Sequence, residues 1–307
     1  MPRLKALELF CGLGGAAAAF GPGVEVAAAF DIHRGALAVY RHNFPHPAQA
    51  RTLESLSVAE LAGFGADLWW LSPPCQPFTR RGARRDDEDP RSQALLSLTP
   101  KIGALRPPLL ALENVPGFAG SRTHAQLRAE LDSAGYQVEE HETCPSELGW
   151  PNRRRRFYLV ASLHGLGPLR APAGPVPSLV DCLEHPLDGS FPPQLGVAPE
   201  LAQQYHLALD IMDPVEGPAL TACFTSAYGR SPVRSGSYLK TPTGLRRFSP
   251  REILALLGFP ANYRLPAELP LDLGWRLAGN SLSVPAVKAV LSRLPGAIAG
   301  SAFPSAV

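Results

Sequence analysis

Leu7-Glu8-Leu9-Phe10-Cys11-Gly12-Leu13-Gly14-Gly15 is the stretch whose reading decides the fold. Residues 7–10 form a short apolar run that reads as a buried strand, and residues 12–20 read as a glycine turn leading into an alanine-rich helix. Outward from it, residues 24–30 read as a second strand ending at Asp31, followed by a helix through Tyr40. Residues 67–71, 109–112 and 157–162 supply further apolar strands. Strands alternating with helices argue for an α/β fold, with an open, mostly parallel sheet covered on both faces.

The texture changes over residues 163–200, where Pro168, Pro172, Pro175, Pro177, Pro186, Pro192 and Pro193 break any regular pattern. This reads as a crossover into a smaller, irregular region. Helical periodicity returns at Ser249-Pro250-Arg251-Glu252, a capping box with proline at the first helical position. Residues 286–294 read as a final helix.

The 307 residues carry a net charge of +2 and are 45% hydrophobic, which describes a globular chain with a sizeable core. No apolar run reaches the ~18 residues of a membrane span, and no signal peptide is read at the N-terminus. Five widely spaced cysteines with no CxxC pair suggest neither a disulfide framework nor a zinc site, so the expectation is a reduced, cytoplasmic protein without a metal. Only four of the 29 basic residues are lysine. The arginines gather locally: Arg80, Arg81, Arg84 and Arg85; Arg153, Arg154, Arg155 and Arg156; Arg230, Arg234, Arg246, Arg247 and Arg251. Such clusters can bind phosphates, although the Arg-for-Lys bias of a GC-rich genome combined with ordinary solvated faces would also produce them.

Four motifs carry chemistry. The glycine turn sits at a strand's carboxyl end, where ligands of open α/β sheets bind, and Asp31 follows Gly15 by 16 residues at the end of the next strand. A carboxylate there can accept both hydroxyls of a ribose. The GxGG spacing departs from GxGxxG, which favours S-adenosylmethionine over a dinucleotide, although such a turn can be purely structural. Ser72-Pro73-Pro74-Cys75-Gln76-Pro77-Phe78-Thr79 places Cys75 on a proline-stiffened loop after a strand. Free cysteines are commonly small core residues, but rigid placement beside arginines is what a thiolate nucleophile needs. Glu113-Asn114-Val115 follows another strand, and Glu113 could hold or donate a proton at a base edge. In Asn152-Arg153-Arg154-Arg155-Arg156-Phe157, Arg154 and Arg156 project to the same side if the segment enters a strand.

These motifs, in this order, resemble the cytosine-C5 methyltransferase family. Arg247-Phe248-Ser249-Pro250-Arg251-Glu252, Leu257-Gly258-Phe259-Pro260 and Gly279-Asn280-Ser281-Leu282-Ser283-Val284 extend the resemblance to residues 6–294. It implies a Rossmann-like S-adenosylmethionine-dependent methyltransferase sheet with a smaller target-recognition domain. By resemblance, Cys75 is the nucleophile toward C6 of cytosine. Glu113 is the acid at N3 and the exocyclic amine, and Arg154 and Arg156 bind the base oxygen and organise the site. Phe10, Gly12, Gly14, Gly15, Asp31, Pro74, Asn280 and Ser281 fall on the cofactor side, S-adenosylhomocysteine being the product. The target base must be flipped or unpaired.

Within the family the chain looks closest to the branch that methylates an anticodon-loop cytosine of transfer RNA. Cys223-Phe224-Thr225 resembles that branch's signature, as does Thr79-Arg80 after Pro77-Phe78, so Gln76, Thr79, Arg80, Cys223, Phe224 and Thr225 are assigned to the substrate. The stretch between the arginine motif and Ser249 is modest for reading DNA sequence in the major groove, and suffices for a splayed RNA loop. Transfer RNA is thus preferred over DNA as partner. A nicotinamide oxidoreductase would leave Cys75, Glu113 and the arginine pair unexplained, and an inactive nucleic-acid binder would not need Cys75 and Glu113. The expected organisation is a catalytic domain over residues 1–165, a target-recognition region over 166–273 with a cleft between them, and a returning segment over 274–307. Residues 80–91, with their acidic run, are expected to form a mobile loop closing over the base.

Overall fold

A computed structural model describes residues 3–79, 85–214 and 220–297. The chain divides into two compact units. The first comprises the segment up to Thr143, Arg155–Pro172 and the segment from Ala286; the second comprises Cys144–Arg154 and Ala173–Pro285. The boundaries expected from the sequence lie at 166 and 274. By contacts, the segment leading into the arginine motif joins the second unit, and the return falls twelve residues later, at Ala286.

The first unit is built on a seven-stranded sheet: β1 (Leu4–Leu9), β2 (Val24–Asp31), β3 (Ala48–Ala50), β4 (Leu68–Leu71), β5 (Leu109–Asn114), β6 (Gln137–Thr143) and β7 (Arg156–Ser162). Their spatial order is β3-β2-β1-β4-β5-β7-β6. The strands from β3 to β5 run parallel, whereas β7 is antiparallel to both β5 and β6. The mostly parallel sheet expected from the alternation is present. Its interior strands are continuous apolar runs because both faces are covered; all four residues of β4, Leu-Trp-Trp-Leu, are buried. Leu7, Phe30, Trp69, Leu110, Leu112 and Leu159 share one core cluster. Two strands escaped the sequence reading. β3 has three residues, and β6, Gln-Val-Glu-Glu-His-Glu-Thr, is an edge strand with no buried residue and so no apolar signature.

Helices α1 (Gly15–Ala19), α2 (Arg34–Asn43), α3 (Val58–Gly63), α4 (Gln93–Leu105) and α5 (Arg122–Ser133) connect these strands. The second unit holds α6 (Pro199–Gln204), a three-stranded sheet of β8 (Asp210–Met212), β9 (Ser237–Thr241) and β10 (Gly244–Arg247), then α7 (Pro250–Leu256) and α8 (Leu271–Gly279). The last helix, α9 (Val284–Leu291), carries the chain back. The capping box of α7 forms as read: Ser249 Oγ accepts from Glu252 N–H, and the Glu252 carboxylate accepts from Ser249 N–H. The same carboxylate receives both terminal nitrogens of Arg246 at 2.8 and 2.9 Å, and both side chains are fully buried. Among the described residues no helix is long and apolar enough to cross a membrane.

Candidate active site

At the carboxyl end of β1 the chain turns through left-handed conformations at Phe10, Gly12 and Gly14. A Cβ on Gly14 would lie 2.5 Å from the Phe44 ring and 2.9 Å from that of Tyr40, so no side chain fits there. Gly12 faces open space instead, leaving its backbone approachable. Asp31, at the end of β2, accepts from Gly12 N–H at 2.8 Å through Oδ2 and from His33 N–H at 2.7 Å through Oδ1. The carboxylate is thereby fixed against the glycine turn, and each oxygen retains acceptor capacity. Ile32, the next residue, is 70% exposed and adds an apolar surface that the sequence reading did not single out.

Glu8 was missed as well. It lies in β1 with its carboxyl fully buried. Oε1 accepts from the N–H groups of Ala16 (3.2 Å) and Ala17 (3.3 Å), and Oε2 accepts from the Tyr40 hydroxyl at 2.9 Å. Burial pushes its pKa up to about 8, outweighing the hydrogen bonds that pull it down. Its signal in the sequence was a lone acid inside Leu-Lys-Ala-Leu-Glu-Leu, where a buried carboxyl needs partners. Those partners are the first turn of α1 and a tyrosine 32 residues away.

Cys75 is half-buried on the loop after β4 and opens the short turn Gln76–Phe78. Pro74, Gln76 and Thr79 flank it, all partly exposed; the Thr79 hydroxyl donates to Gln76 O at 3.3 Å, while Gln76 Oε1 is buried with no hydrogen-bond partner among the described residues. Arg91 lies close enough for its charge and that of Cys75 to act on each other. Asp89 holds Arg91 with two bonds, Nε to Oδ1 at 2.9 Å and Nη2 to Oδ2 at 2.7 Å, and the pairing keeps the Asp89 carboxyl low, at about 2. Both belong to the stretch expected to be a mobile loop. Arg80 lies outside the described residues, as does the rest of 80–84. The acidic run beyond it is not the free, solvated half of a loop. Asp86 accepts from the backbone of Arg122 and Thr123 and from the Thr123 hydroxyl at the start of α5, and Asp87 and Glu88 pair with the Arg122 guanidinium. Four adjacent acids find partners at a helix N-terminus and in nearby arginines, which local charge could not reveal.

Glu113 is buried near the end of β5, and its Oε1 lies 3.2 Å from Arg156 Nε. The expectation that Arg154 and Arg156 project to one side of a strand is corrected, because β7 begins only at Arg156. Arg154 is buried in the second unit. Its Nη1 donates to Phe224 O at 3.0 Å and to Cys223 Sγ at 3.5 Å; its Nη2 donates to Gly279 O at 3.2 Å and to Ser281 O. One guanidinium thus ties the Cys223-Phe224-Thr225 and Gly279-Asn280-Ser281 segments together through their carbonyls. Gly279 is essential to that meeting, since a Cβ there would come within 2.2 Å of Thr225 O. Asn280 is exposed at the end of α8, and Ser281 is buried. Cys223 and Thr225 are partly exposed, whereas Phe224 is a core aromatic, its ring 5.0 Å from that of Tyr228 and 5.2 Å from that of Phe248. The side chain of Phe224 therefore packs the second unit's core, so this ring is not the part of the tripeptide that faces solvent.

Residues 4–186 and 217–295 match the family described as C-5 cytosine-specific DNA methylase. A tRNA (cytosine(38)-C(5))-methyltransferase of Bos taurus is 29% identical, with 96% of this chain and 100% of the relative aligned. A DNA (cytosine-5)-methyltransferase of Dictyostelium discoideum is 28% identical, over 96% and 95% of the two chains. Among solved structures, the Dnmt2 methyltransferase of S. pombe superposes with a TM-score of 0.82 at 28% identity, covering 94% of this chain and 97% of that one. With the glycine turn, Asp31, Cys75, Glu113 and Arg156 on the strand ends of such a sheet, the chain belongs to the C-5 cytosine-specific DNA methylase family and is a cytosine-C5 methyltransferase.

Proposed function

We propose that this methyltransferase uses S-adenosylmethionine to methylate carbon 5 of a cytosine in transfer RNA, in the anticodon loop, through a covalent Cys75–C6 adduct. In this reading the first unit is catalytic and holds the methyl donor, and the second recognises the target. The observation that carries the chemistry is the Glu113–Arg156 pair, one strand over from the loop that bears Cys75. The donor's requirements fit the residues present: an approachable glycine backbone at Gly12, a fixed carboxylate at Asp31 for ribose hydroxyls, and the apolar surface of Ile32 for a base ring. When bound there, S-adenosylmethionine supplies the methyl group.

Carbon 5 of cytosine is a poor nucleophile. The Cys75 thiolate adds at C6, and Glu113 holds a proton at N3 as electron density moves through the ring. Arg156 orients Glu113 and offers its remaining N–H groups to the base oxygen. The ring, made electron-rich at C5, takes up the methyl group; loss of the C5 proton and expulsion of Cys75 restore aromaticity. Arg91 favours the thiolate that starts the sequence.

The RNA target is supported by Cys223-Phe224-Thr225 and by relatives named as tRNA methyltransferases over nearly their full length. Among the described residues no disulfide joins the five cysteines, which suits a reducing cytoplasm. A second reading, DNA as substrate, is favoured by the Dictyostelium discoideum relative. Transfer of labelled methyl to total tRNA and, in parallel, to unmethylated DNA decides between them. Label in tRNA alone, abolished by Cys75→Ala, is expected; label in DNA alone would overturn the RNA target, and turnover by Cys75→Ala would overturn the mechanism.

A further inference from the structure

The segment that follows Glu113 grips the loop that carries Cys75 at two points, one on each side of the cysteine. Before Cys75, the buried Asn114 side chain donates from Nδ2 to Pro73 O at 3.2 Å, while its Oδ1 accepts from Val115 N–H at 2.8 Å. After Cys75, Phe78 O approaches Gly117 so closely that a Cβ on that glycine would lie 2.3 Å from it. A carbonyl can come this near only because residue 117 has no side chain. Phe118 completes the grip: its ring meets that of Phe78 edge-on at 4.9 Å and that of Phe157 at 5.7 Å. Phe157 neighbours Arg156 and pairs in register with Asn114. Inside the loop, Phe78 N–H donates to Cys75 O at 3.0 Å, so a shift of Phe78 is passed directly to the cysteine.

We propose that Asn114 and Gly117 are positioning residues for the nucleophile: they set where Cys75 stands relative to Glu113, one residue from Asn114 on the same strand. The inference rests on the reading of Cys75 as nucleophile. The contacts of both residues are to the protein backbone: Asn114 to Pro73 and Val115, and Gly117 to Phe78. Both act through the backbone of residues 73–78, and prolines 73, 74 and 77 make that backbone stiff enough to transmit a displacement. A misplacement on the scale of an ångström suffices to slow attack at C6 heavily.

The test uses the full chain with Gly117→Ala and Asn114→Asp. The first inserts a Cβ against Phe78 O. The second keeps the shape of Asn114 and the acceptor for Val115 but removes the donor to Pro73. For each, kcat and KM with the nucleic acid that accepts label, the Kd of S-adenosylmethionine and the alkylation rate of Cys75 by iodoacetamide are measured. The expected result is a fall in kcat of about 100-fold for Gly117→Ala and about tenfold for Asn114→Asp. KM should move less than kcat, the donor Kd should stay within about twofold, and Cys75 alkylation should change. Parental kcat in either variant overturns the inference, as does loss of donor binding in step with kcat, which marks general damage to the fold. If Gly117→Ala does not fold, Asn114→Asp decides alone. Cys75→Ala in the same assay separates the two readings: turnover there defeats the nucleophile, whereas its inactivity beside parental rates in both variants defeats only the positioning.

Discussion

Arg156 and Glu113 face each other from neighbouring antiparallel strands, with 3.2 Å between Arg156 Nε and Glu113 Oε1 and both side chains largely shielded from water. An ion pair so placed is costly to break from one side, because the remaining charge stays desolvated. The pair also fixes the direction of the carboxyl that the mechanism places at the cytosine.

Arg156→Ala is therefore expected to lower kcat by about 100-fold and stability by about 1–3 kcal/mol, the lower end reflecting partial exposure of the pair. Arg156→Lys keeps the charge but not the planar fork, and should recover stability better than kcat. Steady-state kinetics together with urea denaturation of the three proteins measure both; equal recovery would mean that charge alone matters.

Glu8 makes stability depend on pH. Its carboxyl titrates at about 8 in the fold but near 4.3 in an unfolded chain, so between these values the native state binds more protons. Stability is then fully present below about pH 4.3 and is lost as pH rises toward 8, by a few kcal/mol in all. Glu8→Gln should flatten that slope and gain on the parent between pH 5 and pH 8. Melting temperatures of both proteins at the two pH values test this, and parallel curves would refute it.

Arg91→Ala should slow iodoacetamide alkylation of Cys75 near neutral pH by a few-fold, because a cation whose charge acts on the sulfur is removed. Asp89→Asn leaves the cation but loosens its two-bond tether, so a smaller effect is expected. A pH profile of the alkylation rate distinguishes a shifted thiol from a merely shielded one.

Arg154→Ala removes donors from three backbone carbonyls at once and should destabilise the fold by about 3–5 kcal/mol, as read by chemical denaturation. Arg154→Lys cannot serve Phe224, Gly279 and Ser281 together and should restore only part of this. Near-parental stability for Arg154→Ala would show that the carbonyls find other partners.

Most of the sheet was legible in the sequence because buried parallel strands are short apolar runs with no alternation to confuse them, as β4 and β5 are. The edge strand β6 was not, since its polar residues answer to water on one side and to the β7 backbone on the other. The helical start at Ser249 was legible because a capping box is local, closed within four residues. The fully buried ion pair between Arg246 and Glu252 was not, although Glu252 belongs to that same box.

The candidate residues Cys75, Glu113, Arg156, Asp31 and the glycine turn were legible in the sequence alone because each stands at a strand end or on the loop just beyond one, and strand ends are set by local apolar runs and the glycines and prolines that stop them. What those side chains work with was decided only by the tertiary structure. Arg91 near Cys75, Tyr40 on Glu8, Asn114 on Pro73 and Arg154 on three distant carbonyls are partnerships between residues far apart in sequence. A hydrogen bond of about 3 Å leaves no periodicity in a chain; it exists once folding has brought its two ends together.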